Sequence, residues 1–367
     1  MKISWTSHAG TSAVDLIWAS ASPPLLGWAQ VLRGDLIGCA ARLGEVVEEC
    51  IAVNDLAWAV SASTTLTYAL AYLGDVANAR ARAVENLERV SESLELYLGM
   101  AQAALGTVHL TAGDVSAAWE AYEAARERTA MDPLTAGIYT WAPLAPLACG
   151  ERAAARRWAD DVVSVTTAWS LAAALTSRSR VEIAQGEFEA ADRDAHEALD
   201  LAAGLGGDLV IPFAIDCLAV VAAETGNHLV AARLFGAADA ARQHMGLVRF
   251  KILDERDEAA IAVLRDALGE NDFDDAWAEG AALSIEDATA YARRGRGERK
   301  RATSGWASLT RAELDVVKFV SEGLGNKDVA ARLFVSPRTV QAHLTHIYNK
   351  LGLASRVQLA QEAARRR

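Results

Sequence analysis

Six glycines recur at a nearly constant interval through most of the chain, and each is followed by a residue able to start a helix. They are Gly34, Gly74, Gly113, Gly150, Gly186 and Gly226, separated by 40, 39, 37, 36 and 40 residues, in RGDLIGCAA, LGDVANARA, AGDVSAAWE, CGERAAARR, QGEFEAADR and TGNHLVAAR. Glycine tolerates the positive φ that closes a helix, the Asp, Glu or Asn after it caps the next helix, and an Ala usually five positions after the Gly lets two helices approach. The unit is therefore an αα-hairpin. The second helices are amphipathic: in 187–202, Phe188, Ala191, Ala195, Ala198 and Leu199 fall at helical spacing. A single hairpin cannot bury such a face, so successive copies must stack into a solenoid. Ala, Leu and Val dominate a chain that is 52% hydrophobic, which favours helix and allows a large core. The predicted class is all-α.

These units resemble tetratricopeptide-like repeats, with copies longer than the usual ~34 residues. The repeat domain is expected to span 25–291. Residues 1–24 read as an irregular segment, a partial helix and a Pro-broken loop that suit the remnant of a longer N-terminal region. Residues 264–292 read as helical segments broken at Gly269 and Gly280, with Ser284 and Asp287 placed as a helix-starting box.

Composition and motifs exclude several classes. The longest weakly polar stretch, 209–223, is too short to span a bilayer and carries Asp216, and the N-terminus lacks a basic region followed by an apolar core, so a cytoplasmic, nucleoid-associated protein is expected. Cys39, Cys50, Cys149 and Cys217 show neither CxxC spacing nor a paired His and read as buried thiols. His8, His109, His196, His228 and His244 are scattered, no GxSxG occurs, and the carboxylate clusters read as solvated helix surfaces. No phosphate loop of the form Gly-x4-Gly-Lys-Ser/Thr is present. No enzyme activity, metal or cofactor is expected.

The net charge of -12 divides unevenly: from Ala292 onward 16 Lys and Arg face 6 Asp and Glu, or +10, leaving -22 on the rest. One end is suited to an anion. The segment 292–305 (ARRGRGERKRATSG) reads as a basic, solvated linker, and 306–367 as a separate domain. Thr310 and Glu313 form a capping box for a helix with Leu314, Val317, Phe319 and Val320 as its apolar set, ending at Gly323; Asn326 is expected to cap a short second helix with Val329, Ala330 and Leu333 inward. Ser336 caps a third, with Pro337 at its first position. There Val340, Leu344, Ile347 and Leu351 share one face, leaving Arg338, Ala342, Thr345 and Asn349 on the other, with Gln341 and His346 at its margins. A fourth helix starts near Ser355. A short helix, a tight turn and a helix with a polar outer face have the geometry that enters a DNA major groove.

At LTRAE, EGLGNKDVAARLFVSPRTVQAHL and IYNKLGLASRVQLA the chain resembles the LuxR-type helix-turn-helix, over Leu309–Ala363. Together with Gly305, Trp306, Ser308 and the DDAWAEGAALSIEDA segment, it resembles the C-terminal half of large actinobacterial ATP-dependent LuxR regulators, without their NTPase module. By that resemblance Gln341, Ala342 and Thr345 face base edges, while Lys327, Arg338, Thr339, His343 and Lys350 match or neighbour backbone contacts; Ser336, at the helix start, is grouped with them. The chemistry agrees: Gln pairs with adenine, Ala and the Thr methyl meet a thymine methyl, and cations and helix N-termini hold phosphates. The implied partner is double-stranded DNA, bound as a homodimer because one small reading head contacts few base pairs. Val357, Ala360 and Ala363 on the fourth helix are the expected self-contact.

Nine of the ten tryptophans precede the linker. Stacked repeats need large fillers, so most are expected in the core. The sharper alternative is that Trp141, Trp158 and Trp169 line the concave groove of the solenoid and contact a protein or small-molecule effector. A rival reading makes the chain an interaction scaffold or a shortened paralogue that binds or competes with larger LuxR-type regulators.

Overall fold

The computed structural model describes residues 23–90, 95–133, 135–298, 311–321, 324–333 and 356–365, with the single positions 340, 341, 344, 347, 348, 351 and 353. Two compact units result, 1–293 and 294–367. No strand occurs among the described residues.

The first unit opens with α1 (Pro23–Leu32), α2 (Leu36–Ala52), α3 (Leu56–Tyr72), α4 (Val76–Arg89), α5 (Glu95–Ala112), α6 (Val115–Arg128), α7 (Leu144–Ala148) and α8 (Arg152–Val165). It continues with α9 (Ala168–Gln185), α10 (Phe188–Leu205), α11 (Ile211–Glu224) and α12 (His228–Met245), then α13 (Lys251–Leu268), α14 (Glu270–Ala281) and α15 (Ile285–Glu298). Helix α1 begins at Pro23, so the last two residues of the segment 1–24 are helical; the remainder lies outside the described residues.

The six periodic glycines have φ between 76° and 87°. At Gly34 the glycine N–H donates to the Val31 carbonyl and the Asp35 N–H to that of Gln30, both at 3.0 Å, and the same crossed pair recurs at Gly74, Gly150, Gly186 and Gly226. Asp35 and Asp75 also cap the next helix, their carboxylates accepting from the Gly38 and Asn78 N–H groups, whereas Asp114, Glu151, Glu187 and Asn227 hold the same position without a side-chain cap bond, which corrects the expected capping at those four. Each hairpin therefore turns without a loop. Five residues after the glycine, Cys39, Ala79, Ala118, Ala155, Ala191 and Ala231 are all fully buried. The α2–α3 turn repeats the device with Asn54 in the left-handed region (φ 57°), its chain bonded Asn54 to Ile51 and Asp55 to Cys50. Regularity fails at α7, where Pro143 precedes and Pro146 interrupts a five-residue helix, and Tyr139 staples the approach by donating to the Ala125 and Thr129 carbonyls at 3.0 and 2.8 Å.

The inner face of the stack is filled by the chain itself. Beyond α12 the backbone crosses the ends of the first helices, with the Val248 N–H bonded to the Tyr72 carbonyl at 2.8 Å. Phe250, fully buried, packs among the rings of Tyr72, Trp141 and Phe213 at 6.1, 5.5 and 5.3 Å. Helix α13 then lies against α5, α7, α11 and α12. At the other end α1 closes on the fifth hairpin: Trp28 stacks on Trp169 at 5.7 Å and meets Tyr68 at 5.1 Å.

Helix α13 is held by a buried ionic network. Arg180 on α9 makes a bidentate contact to Asp257 on α13 at 2.5 and 3.1 Å, and Arg242 on α12 reaches Asp216 on α11 at 2.6 Å. Arg249 lies 3.3 Å from Asp257 and 3.8 Å from Asp216. Both aspartates are fully buried, so these contacts replace water.

Helix α14 crosses α12 at two glycines. A Cβ on Gly280 would collide with the Arg233 carbonyl, and one on Gly236 with that of Trp277. Gly269, at φ 77°, does separate two helices, but Gly280 lies inside α14. Its role is close approach, which corrects its reading as a breaker. Ser284 behaves as expected, accepting from the Asp287 N–H at 3.1 Å and donating to the Asp287 carboxylate at 3.0 Å.

The linker reading needs correction over 292–298. Helix α15 continues to Glu298 because Ala288 and Ala292 are buried, the Arg293 guanidinium meets Asp200 at 2.7 Å, and the His196 ring lies 3.3 Å from the Ala292 carbonyl. Residues 299–305 lie outside the described residues.

One buried carboxylate makes stability depend on pH. Burial, reinforced by the charge of Asp194, pushes Glu182 up to about 7, although Arg178 and Arg156 lie at 4.0 and 3.8 Å. The folded state thus holds a proton that the unfolded chain releases nearer 4.5. The resulting stabilisation is complete below that unfolded value and is lost as pH rises through 7, an effect of about 2–3 kcal/mol. Urea unfolding between pH 5 and 8 should show this decline, and Glu182→Gln should flatten it.

Candidate nucleic-acid interface and the repeat tryptophans

The second unit contains α16 (Arg311–Ser321), α17 (Asn326–Leu333) and α18 (Arg356–Arg365), with helical positions 340, 341, 344, 347, 348 and 351 between the last two. Its core is Val316, Val317 and Val320 of α16, Val329 and Ala330 of α17, then Val340, Leu344 and Ile347, closed by Leu359. The four-three-four spacing places Val340, Leu344 and Ile347 inward, with Leu351 partly buried at the edge. Gln341, one step from the buried Val340, is exposed.

A four-residue clasp ties the elements. The Asn326 amide donates to Gln341 Oε1 at 2.9 Å, the Arg356 guanidinium donates to Asn326 Oδ1 at 2.7 Å, and a second Arg356 nitrogen donates to the Leu324 carbonyl. Asn326 was expected to cap α17. Instead it is the first helical residue, and the Gly325 carbonyl accepts the Val329 N–H at 2.9 Å. Its side chain is thereby available to bridge α17, the third helix and α18, a tertiary role with no local pattern.

Of the expected DNA contacts, Lys327 is exposed in the first turn of α17, where backbone N–H groups and the helix dipole favour an anion. Gln341 is held by Asn326, which restricts the carboxamide before any base is met. Ser336, Arg338, Thr339, Ala342, His343, Thr345 and Lys350 lie outside the described residues. Of the proposed self-contact, Ala363 packs against the domain's own core, and the side chains of Val357 and Ala360 are likewise outside the description.

The repeat tryptophans do not form one groove. Trp141 is 5% exposed, its indole N–H donating to the Tyr72 hydroxyl at 2.9 Å. With the partly buried Trp169 it borders an inner void of about 10 Å³, room for one water. Phe250 covers Trp141 and Trp28 of α1 covers Trp169, long-range contacts that sequence spacing could not reveal. Trp158 belongs elsewhere, on the floor of a cleft of about 500 Å³ formed entirely by the second helices α6 and α8. Its neighbour Trp119, on α6, was not singled out from the sequence. A signal existed: Trp119 with Glu123, and Trp158 with Asp161, recur at helical spacing.

Short helices packed on one small core, the third with an exposed polar position beside its inward stripe, suit the helix-turn-helix class of domain. Residues 307–363 match the model of bacterial regulatory proteins of the luxR family, so the chain carries a luxR-family helix-turn-helix domain. Over 343 residues it is 50% identical to HTH-type transcriptional regulators of Mycobacterium bovis and Mycobacterium tuberculosis, covering 93% of this chain and 39% of theirs. The likeness thus includes the helical array, yet the chain spans 39% of the length of these relatives. The oxygen regulatory protein NreC of Staphylococcus aureus is 44% identical over 59 residues, 16% of this chain and 27% of that protein. No described helix is long and apolar enough to cross a membrane.

Proposed function

We propose that the chain is a sequence-specific DNA-binding transcriptional regulator, in which a luxR-type domain reads double-stranded DNA as a homodimer and the helical array senses an effector. The match over 307–363 carries the reading. It is supported by the exposed Gln341 beside the buried Val340 and by the exposed Lys327 at a helix start. Gln341 reads a base edge, with Ala342 and Thr345 on the same helix, while Lys327, Arg338, Thr339, His343 and Lys350 hold phosphates with Ser336 at the helix start. Dimerisation supplies the second half-site that a small domain needs.

Gel-shift titrations separate the two roles. Lys327→Ala should weaken binding to all duplexes and lower the salt slope by about one, whereas Gln341→Ala should change preference at one base pair at a cost of about 1–3 kcal/mol. Identical behaviour of the two variants would contradict the division.

A further inference from the structure

We propose that the cleft between α6 and α8 is the effector site of the array, and that it takes a small zwitterion with an apolar body, the chemistry of a free amino acid or a dipeptide. The inference rests on the effector reading above and moves the site from the filled inner face to the second helices. At about 500 Å³ the cleft lies in the size range of small-molecule sites, roughly 300–1,000 Å³.

The floor is built before any ligand arrives. The indole N–H groups of Trp119 and Trp158 both donate to Glu123 Oε1, at 3.1 and 3.0 Å, which fixes both rings and engages that carboxylate. Trp158 is 3% exposed, with Arg126 over its ring at 4.9 Å and Tyr139 beside it at 5.8 Å. Trp119 is only partly buried and, with the methyl of Ala154, leaves apolar surface for a ligand body.

The rim sets the charge of the ligand. Beyond the engaged Glu123 it carries two cations, Arg126 and Arg157, and two anions, Glu127 and Asp161, all exposed. A simple cation would meet two like charges and a simple anion three, because Glu123 keeps its charge while accepting the two indole N–H groups. A molecule with one ammonium and one carboxylate can set each against its opposite, and the indole against its side chain.

Calorimetric titration of the full chain tests this with L-phenylalanine, its amide, its N-acetyl derivative and L-alanyl-L-phenylalanine. L-phenylalanine or the dipeptide should bind saturably, the tighter of the two naming the source, while the amide and the N-acetyl derivative should each bind about tenfold or more weakly. Arg157→Ala and Glu127→Gln should each weaken the zwitterion about as much without changing the circular dichroism, since both side chains are exposed. No saturable heat with either zwitterion up to about 10 mM, or binding indifferent to both substitutions, overturns the proposal. Gel shifts on the same preparations keep the two readings apart: loss of the ligand with DNA binding intact removes only this site, and absence of DNA binding removes the regulator.

Discussion

Asp257→Ala is expected to destabilise the helical array by about 3–5 kcal/mol, read from urea unfolding of the full chain at neutral pH. The substitution removes the bidentate partner of Arg180, which is 3% exposed and would keep only Asp216 at 3.7 Å. Arg249 loses its nearer carboxylate at the same time. The magnitude reflects a buried charge left without compensation, not the net worth of the ion pair. Asp257→Asn, which keeps the shape but only one acceptor oxygen and no charge, should cost about as much. A loss under 1 kcal/mol for Asp257→Ala would mean that water reaches the network and α13 is not locked as described.

Gly236→Val and Gly280→Val are the second large effect, each expected to cost on the order of 3 kcal/mol or more. Ordinarily valine in place of a helical glycine gains propensity. Here the added Cβ meets backbone carbonyls of the opposing helix, Trp277 at Gly236 and Arg233 at Gly280, and backbone cannot rotate away as a side chain can. Separation of α12 from α14 would be needed. Thermal unfolding followed by circular dichroism measures both variants, and an unchanged midpoint would contradict the close crossing.

What could be read from the sequence was what local chemistry encodes. The six glycines predicted six left-handed turns and the following Asp, Glu or Asn the helix starts, because both depend on residues within one turn of each other. The inward stripe Val340, Leu344, Ile347 was legible for the same reason. Long-range partners were not. Arg180 and Asp257 are 77 residues apart, and nothing near either announces the other. Gly280 looks like a breaker until α12 is placed against it. The Arg- and Gly-rich run after Ala292 looks like a tether, yet its first turns are helical because Asp200 and a hydrophobic seat on the array receive them. Trp141 and Trp169 look like groove residues until Phe250 and Trp28, each far away in sequence, are placed over them.

The proposed function requires the C-terminal domain of this chain to read DNA sequence. Selection of duplexes from a randomised pool by the full chain, repeated at two salt concentrations, tests it most directly. One motif, with two related half-sites, should be enriched, and the affinity should fall linearly on logarithmic axes as salt rises. A pool that emerges with no motif enriched at either salt concentration would contradict it.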